Sequence, residues 1–245
     1  MTDVRDDAAL QDELVRKLRS DAGIDALRDN DPEAVMLQLR TLMQQIRRMF
    51  LVYEFGIKAL STKIEILRQE FEQGHDYSPI EHVRSRLKTP EGVMRKALRR
   101  GSALTVEAIR NEITDIAGIR ITCSFVSDVY WIAEMLSKQS DVTVLETKDY
   151  IAAPKANGYR SLHLIVQVPV FLSQETEHVT VELQIRTIAM DFWASMEHKL
   201  SYKYDTNLPA HLAEQISTTS AIAAELDDRM GKLREEIRPR PNEVD

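Results

Sequence analysis

Val179-Thr180-Val181-Glu182-Leu183-Gln184-Ile185-Arg186 alternates strictly between apolar and polar side chains. Successive side chains of a strand point to opposite faces, so Val181, Leu183 and Ile185 share one face and Glu182, Gln184 and Arg186 the other. The apolar face has to pack on helices, and the polar face is then either solvated or lines a site. Working outward, Leu162 to Val168 and Val142 to Leu145 read as further strands. Ile113 to Phe125, largely apolar and β-branched, reads as a buried one. Asp115 and Arg120 are charges set into that run, and burying them is costly unless they are paired or bind a metal or ligand. A salt bridge between the two is the simplest structural account. Val83 to Lys88 alternates apolar and basic residues as a short strand does. With helical stretches at Val106 to Glu112 and Val129 to Leu136 between the strands, the pattern predicts an α/β (α+β) fold: a mixed sheet of about five strands flanked by helices.

Long helices are expected at both ends. Asp31-Pro32-Glu33 carries a capping acid, a proline at the first helical position and an acid in the first turn. From Val35 to Phe71 apolar residues recur at spacings of three and four, which predicts one long amphipathic helix or two in series broken at Gly56. The same seven-residue rhythm serves self-association as well as intramolecular packing. Beyond Thr187 the chain reads as helix from Ile188 to Tyr204, breaks at Pro209, and continues as a final helix with apolar residues from Leu212 to Ile237. Arg238-Pro239-Arg240-Pro241 cannot continue it. The expected organisation is a mobile segment over 1–30, then one domain over 31–245. That domain has N-terminal helices (31–73), a core (about 75–205) and a C-terminal helix (210–238).

The 245 residues are 43% hydrophobic and 29% charged, with a formal net charge of -7, a balance that argues against bulk nucleic-acid binding. No run of 18 apolar residues occurs and the acidic start Met1 to Asp7 has no apolar stretch behind it, so neither a membrane span nor a secretory leader is expected. A single cysteine, Cys123, excludes an intramolecular disulfide and fits a reducing cytoplasm.

Two stretches concentrate chemistry. Lys148 to His163, between two strand-like runs, holds Lys155, Asn157, Tyr159, Arg160 and His163 around the turn signals Pro154 and Asn157-Gly158. Cations bind phosphate and a tyrosine ring stacks on a base, so the set suits an anionic ligand with a flat ring; a solvated hairpin loop is the bland alternative. Between Arg84 and Arg100 stand seven cations against the one acid Glu91, and Lys96 and Arg99 share a helix face. A patch that neutralises a polyphosphate accounts for this density better than a solvated face. Asp115 and Glu182, from neighbouring strands, would make a hard-cation site of the kind that suits magnesium.

Taken in order, Arg86-Leu87-Lys88, Asp115-Ile116-Ala117-Gly118-Ile119-Arg120, Lys155-Ala156-Asn157-Gly158-Tyr159-Arg160-Ser161-Leu162-His163 and Val181-Glu182-Leu183-Gln184-Ile185-Arg186-Thr187 resemble the synthetase domain of the RelA/SpoT homologue family, over roughly residues 53 to 205. The length resembles that of the small alarmone synthetases. The resemblance implies a nucleotidyltransferase-like fold and a GTP pyrophosphokinase that moves pyrophosphate from ATP to the 3'-hydroxyl of GDP or GTP, releasing AMP and making ppGpp or pppGpp. It implies Mg2+ held by Asp115, with Glu182 as second ligand or base. Arg86 and Arg120 would sandwich adenine, and Lys88, Lys96 and Arg99 would hold the ATP phosphates. Tyr159 would stack on guanine, with Lys155, Asn157, His163 and Gln184 around the acceptor. A homotetramer, regulated by a nucleotide or single-stranded RNA at its interfaces, is implied as well. His75-Asp76 is a lone dipeptide without the partners of a metal-dependent hydrolase, so no hydrolase activity is expected.

Two positions depart from the family pattern. Gly92 stands where many members have a small hydroxyl residue. Glu146, with Asp149, gives Glu-x-x-Asp where some bifunctional members have Arg-x-x-Asp. The competing readings are a catalytically silent alarmone- or RNA-binding module, which has less need of paired carboxylates, and a nucleotidyltransferase acting on an RNA end, which the net negative charge disfavours.

Overall fold

A computed structural model describes residues 16, 17, 20, 32–74, 77–201 and 209–237. The capping Asp31, the His75-Asp76 turn and the Arg238 to Pro241 tail lie outside the described residues, as does most of the segment 1–30.

Five strands form one sheet: β1 (Ile80–Leu87), β2 (Ala117–Cys123), β3 (Thr143–Asp149), β4 (Leu162–Phe171) and β5 (Thr176–Thr187). Their order across the sheet is β1-β2-β5-β4-β3, with β2 and β5 parallel and every other pair antiparallel. The alternation of β5 is realised as expected. Val179, Val181, Leu183 and Ile185 are buried against the core, while Glu182 and Gln184 face a cleft.

Among the described residues the sheet is flanked by the helices α1 (Pro32–Gly74), α2 (Pro90–Arg100), α3 (Val106–Glu112), α4 (Val126–Ser137), α5 (Ile188–Ser201) and α6 (Ala210–Ile237). The two short ones are capped from the sequence. Thr89 and Thr105 accept from the backbone N–H of Gly92 and Ala108, each at 3.1 Å, and Gly101 closes α2 with φ 73°. Thr187 does the same for α5 by accepting from Met190 N. α1 lies across the apolar face of the sheet, burying Val52, Tyr53, Leu60 and Ile64, and its Phe71 ring packs on Trp131 of α4 at 4.8 Å.

The helix break considered at Gly56 does not occur. α1 runs through it, and Gly56 lies close against β5: a Cβ there would lie 2.7 Å from Val179 Cγ1. The glycine marks close packing rather than a hinge. The strand around Asp115 is also shorter than expected. β2 begins at Ala117, so Asp115 sits in the turn ahead of it.

α6 is amphipathic with its apolar stripe turned outward. Ile222, Leu226, Met230, Leu233 and Ile237 are exposed, and the face toward the domain carries Ser220, Asp227 and Arg234 instead. The first half of α1 likewise exposes Met36, Leu37 and Met43.

Candidate active site

Strand register gathers the charged residues on one face of the sheet. Arg86, Gly118, Glu182, Ile165 and Glu146 lie in one row across it, and Arg84, Arg120, Gln184, His163 and Lys148 in the next. Gly118 lies between Arg86 and Glu182 without a side chain, which keeps the floor open. A cavity of about 330 Å³ stands above these rows, lined by Arg84, Arg86, Lys88, Asp115, Gly118, Arg120, Glu182 and Gln184.

Asp115 is held from two elements. Lys88, just past β1, and Lys96, on α2, both reach its Oδ2, at 2.8 and 2.7 Å. Burial pushes the Asp115 carboxyl up, but the two ammonium groups outweigh it and hold the carboxyl below its usual value. Its other oxygen, Oδ1, is buried with no hydrogen-bond partner. The salt bridge between Asp115 and Arg120 does not form. Arg120 turns to Asp191 of α5, at 3.2 Å, and the position of Asp115 before the strand lets the lysines reach it first.

Glu182 lies in a second network. His163 Nδ1 stands 3.1 Å from its Oε1, and Gln184 Nε2 donates to its Oε2 at 2.9 Å. Burial again raises this carboxyl, and these two hydrogen bonds bring it below its usual value. His163, only 7% exposed, contacts the Tyr159 hydroxyl through Nε2 at 2.9 Å. Arg186 donates to that hydroxyl at 3.1 Å and to Gln184 Oε1 at 2.8 Å, and its guanidinium lies over the Tyr159 ring. The network thus runs from Arg186 through Tyr159 and both ring nitrogens of His163 to Glu182.

The loop between β3 and β4 is internally ordered. Lys155 Nζ stands over the rings of Tyr150 and Tyr159, at 4.6 and 4.9 Å, and the exposed Asn157 accepts from Tyr159 N with Oδ1. The structure therefore brings Arg86, Lys88, Lys96, Arg120, Asp115, Glu182 and Gln184 together, with His163, Tyr159, Lys155 and Asn157 adjoining through Glu182. Arg99 is exposed one turn beyond Lys96 and does not line the cavity. Gly92 N caps on Thr89, and a Cβ at Gly92 would press on the Lys88 stem at 3.1 Å. Glu146 pairs with Lys148 at 2.8 Å.

Three residues of the network escaped the sequence reading as site residues. Arg84 was legible, since it stands two before Arg86 on an alternating strand. Alternation puts Arg186 on the polar face, but nothing local in the sequence shows that it is almost wholly buried. Asp191 is a helix residue whose role depends on where α5 docks.

Comparison with known proteins agrees with this geometry. Residues 85–207 match the family described as "Region found in RelA / SpoT proteins". The GTP pyrophosphokinase YwaC of Bacillus subtilis is 44% identical over 202 residues, 82% of this chain and 96% of that protein. The small alarmone synthetase 1 of the same organism, solved bound to its product pppGpp, superimposes with a TM-score of 0.74 at 39% identity, covering 80% of this chain and all of that one. Its complex with AMPCPP gives 0.68 at 37%, covering 80% and 98%. The chain belongs to the RelA/SpoT family, among its small alarmone synthetases.

Proposed function

We propose that this GTP pyrophosphokinase makes ppGpp or pppGpp by placing ATP over Arg86 and Arg120 and the guanine nucleotide beside Tyr159, with Asp115 and Glu182 between them. The observation that carries the reading is the single charged sheet face, with a cation-lined cavity on the Asp115 side and the aromatic loop beyond Glu182.

In the transfer, the 3'-oxygen of GDP or GTP forms a bond to the β-phosphorus of ATP, the bond from that phosphorus to the α-phosphate oxygen breaks, and AMP leaves. The hydroxyl proton passes to a carboxylate or to solvent. Such a displacement needs alignment and charge compensation more than covalent help. Lys88 and Lys96 supply charge for the phosphates from their place at Asp115, and Arg86 and Arg120 flank the adenine. Arg99, one turn beyond Lys96, would meet only the outermost phosphate oxygens.

Magnesium fits this donor set. Asp115 Oδ1 is a buried carboxylate oxygen without a partner, and Glu182 lies near enough for the Asp115 charge to act on it. A bound magnesium ion would neutralise charge on the transferred group. The lowered Glu182 carboxyl makes a weak base and supports a role as second ligand, oriented by His163 and Gln184. On the acceptor side, Tyr159 would stack on guanine, with Lys155, Asn157, His163 and Gln184 around the nucleotide.

The outward apolar stripes of α6 and α1 support self-association into a homotetramer, with nucleotide or single-stranded RNA regulation at its interfaces as part of the same proposal. Light scattering, and rates measured with added pppGpp or oligoribonucleotide, test both. No helix among the described residues is long and apolar enough to cross a membrane, which accords with action in the cytoplasm.

The reaction itself is tested by incubating the protein with magnesium, ATP and GDP or GTP and separating the products by anion exchange. AMP together with a guanine nucleotide carrying extra pyrophosphate is expected, and Asp115→Asn is expected to abolish both while remaining folded. Full turnover in that variant sinks the metal assignment.

A further inference from the structure

Ser220 lies on α6, outside every motif that marks the family, yet it touches the acceptor loop directly. Its hydroxyl donates to the carbonyl of Gly158, and it is only 5% exposed. Gly158 has φ 90°, and a Cβ there would lie 2.6 Å from Ser220 Cβ. The Ser220 side chain thus lies directly against the loop's backbone, in a gap that suits glycine and a small partner residue. Trp193 of α5 closes the side of this contact. It sits against Gly158, and its Nε1 donates to Ile216 O and Thr219 Oγ1 of α6 at 3.2 and 3.1 Å.

The same face of α6 is fastened at two more points, each seven residues on and so two turns further along. Asp227 Oδ2 accepts from Thr187 Oγ1 at 2.7 Å, at the end of the strand that carries Glu182, Gln184 and Arg186. Arg234 donates to the buried Asp128 at 2.8 Å, with its guanidinium between the rings of Tyr77 and Phe125. Between these points a cavity of about 700 Å³ separates α6 from Phe125, Trp131 and Met190. The helix is therefore held at discrete polar points, and the first of them is the loop that carries Lys155, Asn157 and Tyr159.

We infer that Ser220 is a positioning residue for the guanine nucleotide: through Gly158 it fixes the loop that presents Tyr159 and Lys155, and so sets acceptor affinity without touching the ATP side. Only the nucleotide part rests on the function proposed above; the fixing of the loop stands on geometry alone. The Tyr159 side chain is held from outside the loop by His163 and Arg186, whereas Ser220 reaches the loop's backbone. Arg160 donates to Ile151 O, and the Lys155, Gly158 and Tyr159 amides bond within the loop itself. Removing the Ser220 bond leaves the internal turn and the Tyr159 side-chain bonds in place but frees the backbone at Gly158 from α6.

The test uses the full chain with Ser220→Ala, and Arg234→Met as a control that frees the far end of α6. Amide hydrogen exchange over residues 153–161 is measured without nucleotide, and GDP and ATP affinities are measured by calorimetry. For Ser220→Ala, faster exchange confined to the loop and a roughly fivefold weaker GDP affinity, the value of one net hydrogen bond, are expected with ATP affinity unchanged. Arg234→Met is expected to lower the melting temperature without a matching loss of GDP affinity. Unchanged loop exchange in Ser220→Ala, or equal weakening of GDP and ATP, overturns the inference. If the wild type binds no guanine nucleotide, the proposed function falls instead, and loop exchange still decides whether Ser220 fixes the loop.

Discussion

Arg186→Met separates the buried network from the cation-lined cavity. Arg186 is 2% exposed and makes three side-chain bonds: to Tyr159 Oη, Gln184 Oε1 and, at 3.4 Å, Asp191 Oδ1. Two of these acceptors keep another partner when it is removed, since Tyr159 still meets His163 and Asp191 still meets Arg120. Gln184 Oε1 is the acceptor that is stranded, at a cost of about 1–3 kcal/mol, and the lost guanidinium–ring contact adds about 0.5–1 kcal/mol. Against this, Arg186 Nε is buried without a hydrogen-bond partner, so removing the guanidinium relieves some desolvation. A net loss of about 2 kcal/mol follows, roughly 5 °C in Tm for a chain of this size. In activity, Tyr159 and Gln184 lose their orientation. KM for the guanine nucleotide is expected to rise about tenfold while KM for ATP moves little. Thermal unfolding and steady-state kinetics with each nucleotide varied in turn measure both. An unchanged Tm, or equal rises in both KM values, refutes the assignment of Arg186 to the acceptor side.

Gly56→Ala gains about 1 kcal/mol of helix propensity but drives a methyl into Val179, so a net destabilisation of about 1–2 kcal/mol is expected in urea unfolding. Adding Val179→Ala should make the Gly56 substitution neutral or favourable. Burial raises the Asp227 carboxyl, only partly offset by the Thr187 hydroxyl. Stability from this group is therefore present below the usual carboxylate value and lost as pH rises through the raised one. Asp227→Asn removes that loss and keeps an acceptor for Thr187, so the Tm difference between variant and wild type should grow from about pH 4 to pH 7. Cys123 is fully buried, and burial pushes its thiol far above the usual range. A thiol reagent at pH 8 should label it only after denaturant is added; prompt labelling of the native protein contradicts the packing of β2.

What the sequence disclosed is what periodicity and local chemistry encode. The alternation of β5 names the face on which Glu182 and Gln184 lie, Val106 to Glu112 reads as a helix, and the apolar and basic alternation from Val83 to Lys88 marks a short strand. What stayed hidden depends on docking between distant segments. Asp115 reads as part of a strand because Ile113 and Ile116 are apolar, yet their burial is served equally by a turn, and the turn is what allows Lys88 and Lys96 to converge on one oxygen. Gly56 looked like a break because glycine weakens helices, and only the approach of Val179 from β5 explains why the helix continues. Ser220 carries no local signal at all, since its role exists only once α6 lies against Gly158.

The inverted helix α6 ties these points together. An amphipathic helix usually buries its apolar stripe, and here that stripe is exposed while serine, aspartate and arginine at seven-residue intervals meet the domain. Polar fastenings are directional, so they fix where the helix sits along its axis more tightly than a greasy face would. One of those fastenings is the carbonyl of Gly158, next to Tyr159. A helix that is located by hydrogen bonds on one face and offers an apolar stripe on the other is suited to pass the state of its outer face to the loop that carries Tyr159, because a shift along the axis strains the Ser220 bond together with those of Asp227 and Arg234.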